Sequence, residues 1–165
     1  MKRKSLQVAI DSLSILASLY AGSVLFSFGR DKLLGINSSI QGFEQIGGAL
    51  GVDPTAFRLF VGLQEVGVAF ALFTAVLVLI PKLPLVVQKV SHITLQLGSL
   101  GLVGTMVGAI ATELSVRPGQ QDWLLYLGIR LATIGVFLSA WSFVRFGLPF
   151  GRRLALRSPS GSLVA

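Results

Sequence analysis

The sequence predicts an all-α protein, a transmembrane antiparallel four-helix bundle. Hydrophobic residues make up 53% of its 165 residues and charged residues only 13%, about half of the roughly 25% that soluble domains carry. Mean hydropathy is correspondingly high, at +0.78. Four apolar runs each approach the roughly 20 residues that a membrane-crossing helix needs. They cover about 6–28, 57–80, 92–114 and 123–146.

The first run follows Lys2, Arg3 and Lys4, a pattern that also begins secretory signal peptides. However, the run is long, carries Asp11, and is not followed by small residues at the spacing of a cleavage site. We therefore expect a retained span rather than a cleaved leader.

The loop 30–56 is the only long connection between the runs, and it contains the pattern of a short amphipathic helix. Apolar residues recur at helical spacing from Ile40 to Leu50, and Ser38 stands three residues before Gln41, as in a capping box. We predict a short interfacial helix here, between spans one and two.

The second span has clear signals at both ends. Asp53 followed by Pro54 is typical of a helix start, with Asp as the N-cap and Pro at the first helical position. Pro81 and Pro84 end the helix and predict a short turn before span three.

Spans three and four are rich in small residues at helical spacing. Because lipid cannot drive helices together by apolar burial, small residues that allow close backbone approach are the usual substitute. We predict that both stripes pack helices against each other. The residues are Gly101, Gly104, Gly108 and Ala111 in span three, and Gly128, Ala132, Gly135 and Ser139 in span four.

The distribution of charge predicts the topology. Most of the 14 basic residues lie before span one, between spans two and three, or after span four. The positive-inside rule then places both termini in the cytoplasm, and we expect a bacterial inner membrane. Residues 1–149 form the predicted four-span domain, and 150–165 a basic, flexible C-terminal tail. Basic and aromatic residues are not interleaved, which argues against a nucleic-acid partner.

The composition also limits the chemistry. Cys is absent and there is a single His, so we predict no thiol redox chemistry and no transition-metal site. Any electron carrier has to come from a partner.

Two opposite charges interrupt the apolar runs at matched depth. Glu65 and Arg130 lie about seven to eight residues inside spans two and four, or roughly 10–12 Å from the same membrane surface. An isolated charge near the bilayer centre costs at least about 2.5–3.5 kcal/mol. We predict that the two side chains meet, or share a polar cluster. Whether such a cluster is a functional site or only fixes helix register stays open at this stage.

Other polar side chains gather on the same side of the predicted bundle. Lys32, Glu44, Gln64 and Tyr126 are the further candidates for this cluster or ligand site. Asp11 stands nearer the opposite surface, where we expect it to snorkel or to pair with Lys89 or His92. Catalytic residues are not predicted.

Four segments resemble the DoxX-like family of four-span integral membrane proteins. Residues 28–33 are similar to the family's G-x-x-K-L element, and 43–47 followed by Pro54 to its outer loop. Residues 62–65 resemble the G-x-x-E that opens its second span, and 106–112 the small-residue stretch of its third. One departure is that the first half of span one has no basic residue where the family often carries one.

The resemblance implies a four-span bundle that serves as a small membrane subunit of a quinone-linked redox complex, in which quinone binds beside the polar cluster without a covalent link. Glu65, Lys32, Arg130 and Glu44 would then accept or relay protons. The alternative is an assembly factor or scaffold for membrane protein complexes, in which the charges only lock the bundle. A small-solute carrier ranks third, because no Pro-broken helix pair marks a midplane site. The lipid bilayer and a protein partner subunit are the expected partners.

Overall fold

Helices account for nearly all of the chain that the computed structural model describes, which is residues 2–78, 80, 83–116 and 122–147. The predicted turn residue Pro81 and the predicted tail 150–165 lie outside the described residues. The helices of the described part are α1 (Lys2–Leu34), α2 (Asn37–Leu50), α3 (Pro54–Phe73), α4 (Ala75–Val78), α5 (Leu85–Val116) and α6 (Asp122–Phe146).

Four segments are long and apolar enough to cross a membrane, as the sequence predicted: Ser5–Leu34, Pro54–Val78, Leu85–Val116 and Asp122–Phe146. At 1.5 Å per residue even the 25-residue segments are about 38 Å long, which exceeds the roughly 30 Å hydrocarbon core. The chain is therefore a multi-pass membrane protein. α1 and α5 run past the predicted spans at both ends, because the residues that flank these apolar runs remain helical.

The four long helices form a four-helix bundle around a core of leucines. α1 packs extensively on α3, and α5 on α6, with a further contact between α3 and α5; α1 and α6 meet only sparsely. No α-carbon of α3 comes within 8 Å of one in α6, so these two fully described helices lie on a diagonal. The fully buried leucines are Leu25, Leu72, Leu95, Leu102, Leu131 and Leu138.

Small residues do bring helices together, but not all of the predicted ones take part. A Cβ added to Gly29 would lie 2.8 Å from the carbonyl oxygen of Gly62, and one added to Gly98 would lie 2.7 Å from Cβ of Ala71. In contrast, a Cβ at Gly104 or Gly108 would meet nothing within 4 Å. The predicted packing role of this G-x-x-x-G pair within the chain is therefore wrong.

The reason lies in the rotation of α5 about its own axis. Its contact with α3 runs along Gly98, Gly101 and Thr105, since Gly101 approaches Val68 and Thr105 bonds to α3. Because successive residues are 100° apart around a helix, this contact turns Gly104 outward.

The second span is interrupted at Thr74, which lies between α3 and α4. Its hydroxyl donates hydrogen bonds to the carbonyl oxygens of Ala71 at 2.7 Å and of Ser91, on α5, at 3.4 Å. Such side-chain bonds compete with the helical backbone ladder. The predicted continuous span is thus two helical pieces joined at a threonine that also touches the next span.

The loop before α3 contains the predicted helix, α2, but its start differs from the prediction. α2 begins at Asn37 with Ile36 as its N-cap and has no side-chain cap, so the Ser38–Gln41 capping box is wrong. It ends at Gly51, whose φ of 67° lies in the left-handed region that glycine tolerates best. The predicted cap of α3 is confirmed, because Asp53 Oδ1 accepts a hydrogen bond from the Ala56 backbone at 2.6 Å.

Candidate functional site

A buried ion pair joins α1 and α3 at one end of the bundle, which we call the Lys32 end. Nζ of Lys32 lies 2.6 Å from Oε2 and 2.8 Å from Oε1 of Glu65. Only 15% of the lysine side chain and 7% of the glutamate side chain are exposed. Both oxygens of the carboxylate are therefore engaged by a single ammonium group.

The close contact between Gly29 and Gly62 explains why these two side chains meet. Lys32 is one turn after Gly29, and Glu65 one turn after Gly62. Helical side chains lean toward the N-terminus of their own helix. As α1 and α3 pass each other at these glycines, the two side chains lean toward one another, which completes the pair.

Two further groups surround Lys32. Its ammonium lies 5.4 Å from the centre of the Phe28 ring, within the range of a cation–π interaction. The side chain of Arg58 donates a hydrogen bond to the Lys32 backbone carbonyl. That carbonyl belongs to the last turn of α1, where carbonyl groups have no partner within the helix, so Arg58 caps this end of α1.

Gln64 is close to the pair in sequence but belongs to another contact. Its Nε2 donates a hydrogen bond of 2.9 Å to Oγ1 of Thr105, which links α3 to α5. Because neighbouring residues point in different directions around a helix, Gln64 and Glu65 serve different interfaces of α3.

Glu44 is exposed and lies on α2, beside a small open pocket of about 140 Å³ between α2 and the first turn of α3. Arg58 also lines this pocket, and so connects it to the backbone of Lys32. The residues that line the pocket are Ile40, Phe43, Glu44, Pro54, Thr55 and Arg58.

Arg130 and Tyr126 do not join the pair, so the predicted Glu65–Arg130 contact is wrong. Both side chains are on an exposed face of α6, where Tyr126 is 65% exposed. Within the described part of the chain, Arg130 has neither a side-chain hydrogen bond nor an ion pair. The physical reason is that α3 and α6 are diagonal in the bundle, and α6 turns Leu131, not Arg130, into the core.

A second polar cluster, at the opposite end of the bundle, was not predicted; we call this the Asp11 end. Oδ1 of buried Asp11 accepts hydrogen bonds from Gln7 at 2.9 Å and from Trp141 Nε1 at 3.0 Å, and its Oδ2 lies 3.6 Å from Arg145. The expected partner His92 instead stacks on Phe146, with ring centres 3.9 Å apart.

A sequence signal for this second cluster did exist. Asp11, Ser14 and Ser18 recur at helical spacing and are all buried. A stripe of this kind marks a polar face of α1 that turns toward other helices. The stripe does not identify Trp141 as the hydrogen-bond donor to Asp11, because a tryptophan near the end of a span is equally typical of an aromatic belt.

Across the described residues, no three His, Asp or Glu side chains come close enough together to hold a metal ion. The polar groups that the structure does bring together compensate charge. One is a tight carboxylate–ammonium pair, and the other is a carboxylate with several polar neighbours. Arg130 is exposed on the outer surface of the bundle.

The fold and these compensated charges define a multi-pass integral membrane protein. Comparisons with models of known families, with curated proteins and with solved structures found no match.

Proposed function

We propose that this protein is an accessory component of a larger membrane complex and that it acts by binding another membrane polypeptide. The observation that carries the proposal is Arg130, a charged side chain within a membrane-spanning helix that has no partner among the described residues. Charged residues inside membranes almost always pair or face a bundle interior.

The Lys32–Glu65 pair and the cluster around Asp11 have the features of structural contacts. Lys32 engages both oxygens of Glu65, and both side chains are largely buried, so the charge of this pair is compensated within the chain. Asp11 likewise accepts hydrogen bonds from two neutral donors and has Arg145 at 3.6 Å. These two clusters compensate their own charges, whereas Arg130 lies on the outer surface of the bundle without a partner among the described residues.

We also propose that the chain belongs to the DoxX-like family. The support is that two of the segments carrying the resemblance are in contact. Gly29 and Lys32 of one segment meet Gly62 and Glu65 of the other through the glycine approach and the ion pair. Two short motifs that are distant in sequence thus form one structural unit.

We propose an antiparallel bundle with both termini in the cytoplasm of a bacterial inner membrane. Gly22 approaches Phe73, whereas Gly29 approaches Gly62. A later residue of α1 therefore contacts an earlier residue of α3, which supports opposite directions for these helices. The charge distribution supports the cytoplasmic termini. An interfacial position for α2 is supported by the exposed apolar side chains of Ile36, Ile40 and Leu50.

A quinone-linked redox role is the second candidate, and the pocket beside α2 favours it. Phe43 and Ile40 offer apolar contacts there, while Glu44 offers a carboxylate that can exchange protons and Arg58 a permanent cation that can donate hydrogen bonds. In this proposal a quinone ring binds without a covalent link, Glu44 exchanges protons with it, and a partner subunit carries the electrons because this chain contains no Cys.

Purification from its own membranes in a mild detergent tests both candidates. A polypeptide that remains bound in fixed stoichiometry through two chromatographic steps supports the accessory role, and a chain that is recovered alone contradicts it. Co-purified quinone that is lost in Glu44→Gln but kept in the neighbouring control variant Gln45→Ala supports the redox role. If quinone is absent from the wild-type preparation, the redox role is wrong.

A further inference from the structure

Arg130 is placed deep along α6. It follows Asp122, the first residue of this 25-residue helix, by about 12 Å at helical rise, and is about 6 Å from the helix midpoint. Its exposed face also carries Tyr126, Ile129, Thr133 and Val136. A guanidinium group thus stands on an otherwise mainly apolar surface that faces away from the core of the bundle.

The buried acidic residues in the described part of the bundle do not compensate Arg130. Asp11 and Glu65, the two buried acidic residues, already have Arg145 and Lys32 as basic partners. Arg130 is left with no acidic partner among the described residues. An isolated arginine in the hydrocarbon layer is costly, and this cost favours pairing. We therefore expect the exposed face of α6 to be covered by another polypeptide in a larger assembly.

We propose that a transmembrane helix of a partner polypeptide packs on this face of α6 and that an Asp or Glu in that helix pairs with Arg130. This inference rests on the proposed accessory function and specifies the chemistry of the partner. A carboxylate suits the site because guanidinium can bind both of its oxygens at once. The small residues Thr133 and Ala140, exposed on the same face, allow a helix backbone to approach.

Charge complementarity favours this occupant over the two competing ones. In a symmetric dimer through this face, Arg130 would approach its own copy, because such interfaces place the same patch on both subunits. Two like charges in a low-dielectric layer repel. A lipid phosphate lies at the membrane surface, whereas a carboxylate on a helix can be placed at the depth of Arg130 itself.

A designed single-span helix provides the test. A poly-leucine helix of about 20 residues with one Asp at the depth of Arg130 is labelled with an acceptor dye, and the full-length protein with a donor. Both are placed in phosphatidylcholine vesicles, and association is measured by energy transfer. The same helix with Leu at the Asp position is the reference. We expect the Asp helix to bind about threefold to tenfold more tightly than the reference, the range of polar contacts between membrane helices.

Arg130→Leu should abolish that preference, and Lys89→Leu should keep it. Lys89 is a matched control because it is exposed on α5 and its removal changes the net charge equally. Arg130→Leu should fold normally, as it has no partner within the described chain to lose, and circular dichroism checks this. Equal binding of the Asp and Leu helices to the wild type, which lipid phosphate at Arg130 would produce, overturns the proposal. So does a preference that survives Arg130→Leu.

The two proposals fail separately. If a polypeptide co-purifies from the membranes while the Asp helix shows no preference, the accessory function stands and the acidic partner helix is wrong. If the wild-type chain is recovered alone, the accessory function itself is wrong.

Discussion

The Lys32 end and the Asp11 end of the bundle each contain a buried carboxylate, and the two ends compensate its charge in different ways. Each removes a carboxylate from water between membrane-spanning helices. Glu65 has one lysine at 2.6 Å, and both partners are largely buried. Asp11 has two neutral donors and one arginine that is 3.6 Å away and 42% exposed.

The two carboxylates differ in how far each depends on a single neighbour. Removing one member of a buried pair leaves an uncompensated charge, whereas removing one of several donors leaves the rest in place. Stability should therefore be sensitive to Lys32 and much less sensitive to Arg145. Four substitutions test this contrast, in order of decreasing expected effect.

Lys32→Met should destabilise the protein most, by about 3 kcal/mol, because it leaves Glu65 buried with no basic partner. Unfolding by sodium dodecyl sulfate in mild detergent, followed by circular dichroism, measures the change. The double variant Lys32→Met, Glu65→Gln is the control and should recover most of the loss. If the double variant is as unstable as the single one, the charge of Glu65 is not the cause.

Gly29→Ala should cost about 2 kcal/mol, since the new Cβ would meet backbone atoms of α3 at 2.8 to 3.0 Å. The same unfolding titration applies. Gly104→Ala is the matched control, because nothing lies within 4 Å of a Cβ at that position, and it should be close to neutral. Equal losses in the two variants would contradict the close approach that sets the Lys32–Glu65 geometry.

Trp141→Phe should cost about 1–2 kcal/mol, because it removes the indole hydrogen bond to buried Asp11 while Gln7 remains. Trp123→Phe is a suitable control, since Trp123 is exposed and its ring stacks on Phe28. Both variants are compared by thermal unfolding. A larger loss at Trp123 would show that the aromatic ring, rather than the bond to Asp11, is what matters.

Arg145→Gln should have the smallest effect, below about 0.5 kcal/mol, because the pair with Asp11 is long and its arginine is well exposed to solvent screening. Raising the salt concentration in the unfolding titration of the wild type should have a similarly small effect. A loss as large as that of Lys32→Met would remove the contrast between the two ends.

Much of the fold could be predicted because it follows from local properties. Hydropathy and length predict the four spans, and the Asp53 cap follows from the chemistry of one side chain next to Pro54. The partner of Glu65 did not follow. Span one was expected to end near residue 28, which left Lys32 in a loop, whereas α1 continues to Leu34 and carries Lys32 to the carboxylate.

The amino-acid sequence alone is enough to predict a multi-pass membrane protein with ionisable groups inside its spans, because the hydropathy of a span is the sum over its residues. Which of those groups meet depends on how the helices pack. Equal depth of Glu65 and Arg130 did not make them neighbours, since their helices lie on a diagonal. The order of helices and the rotation of each about its axis arise from packing between distant segments. They place Lys32 inside and Arg130 outside.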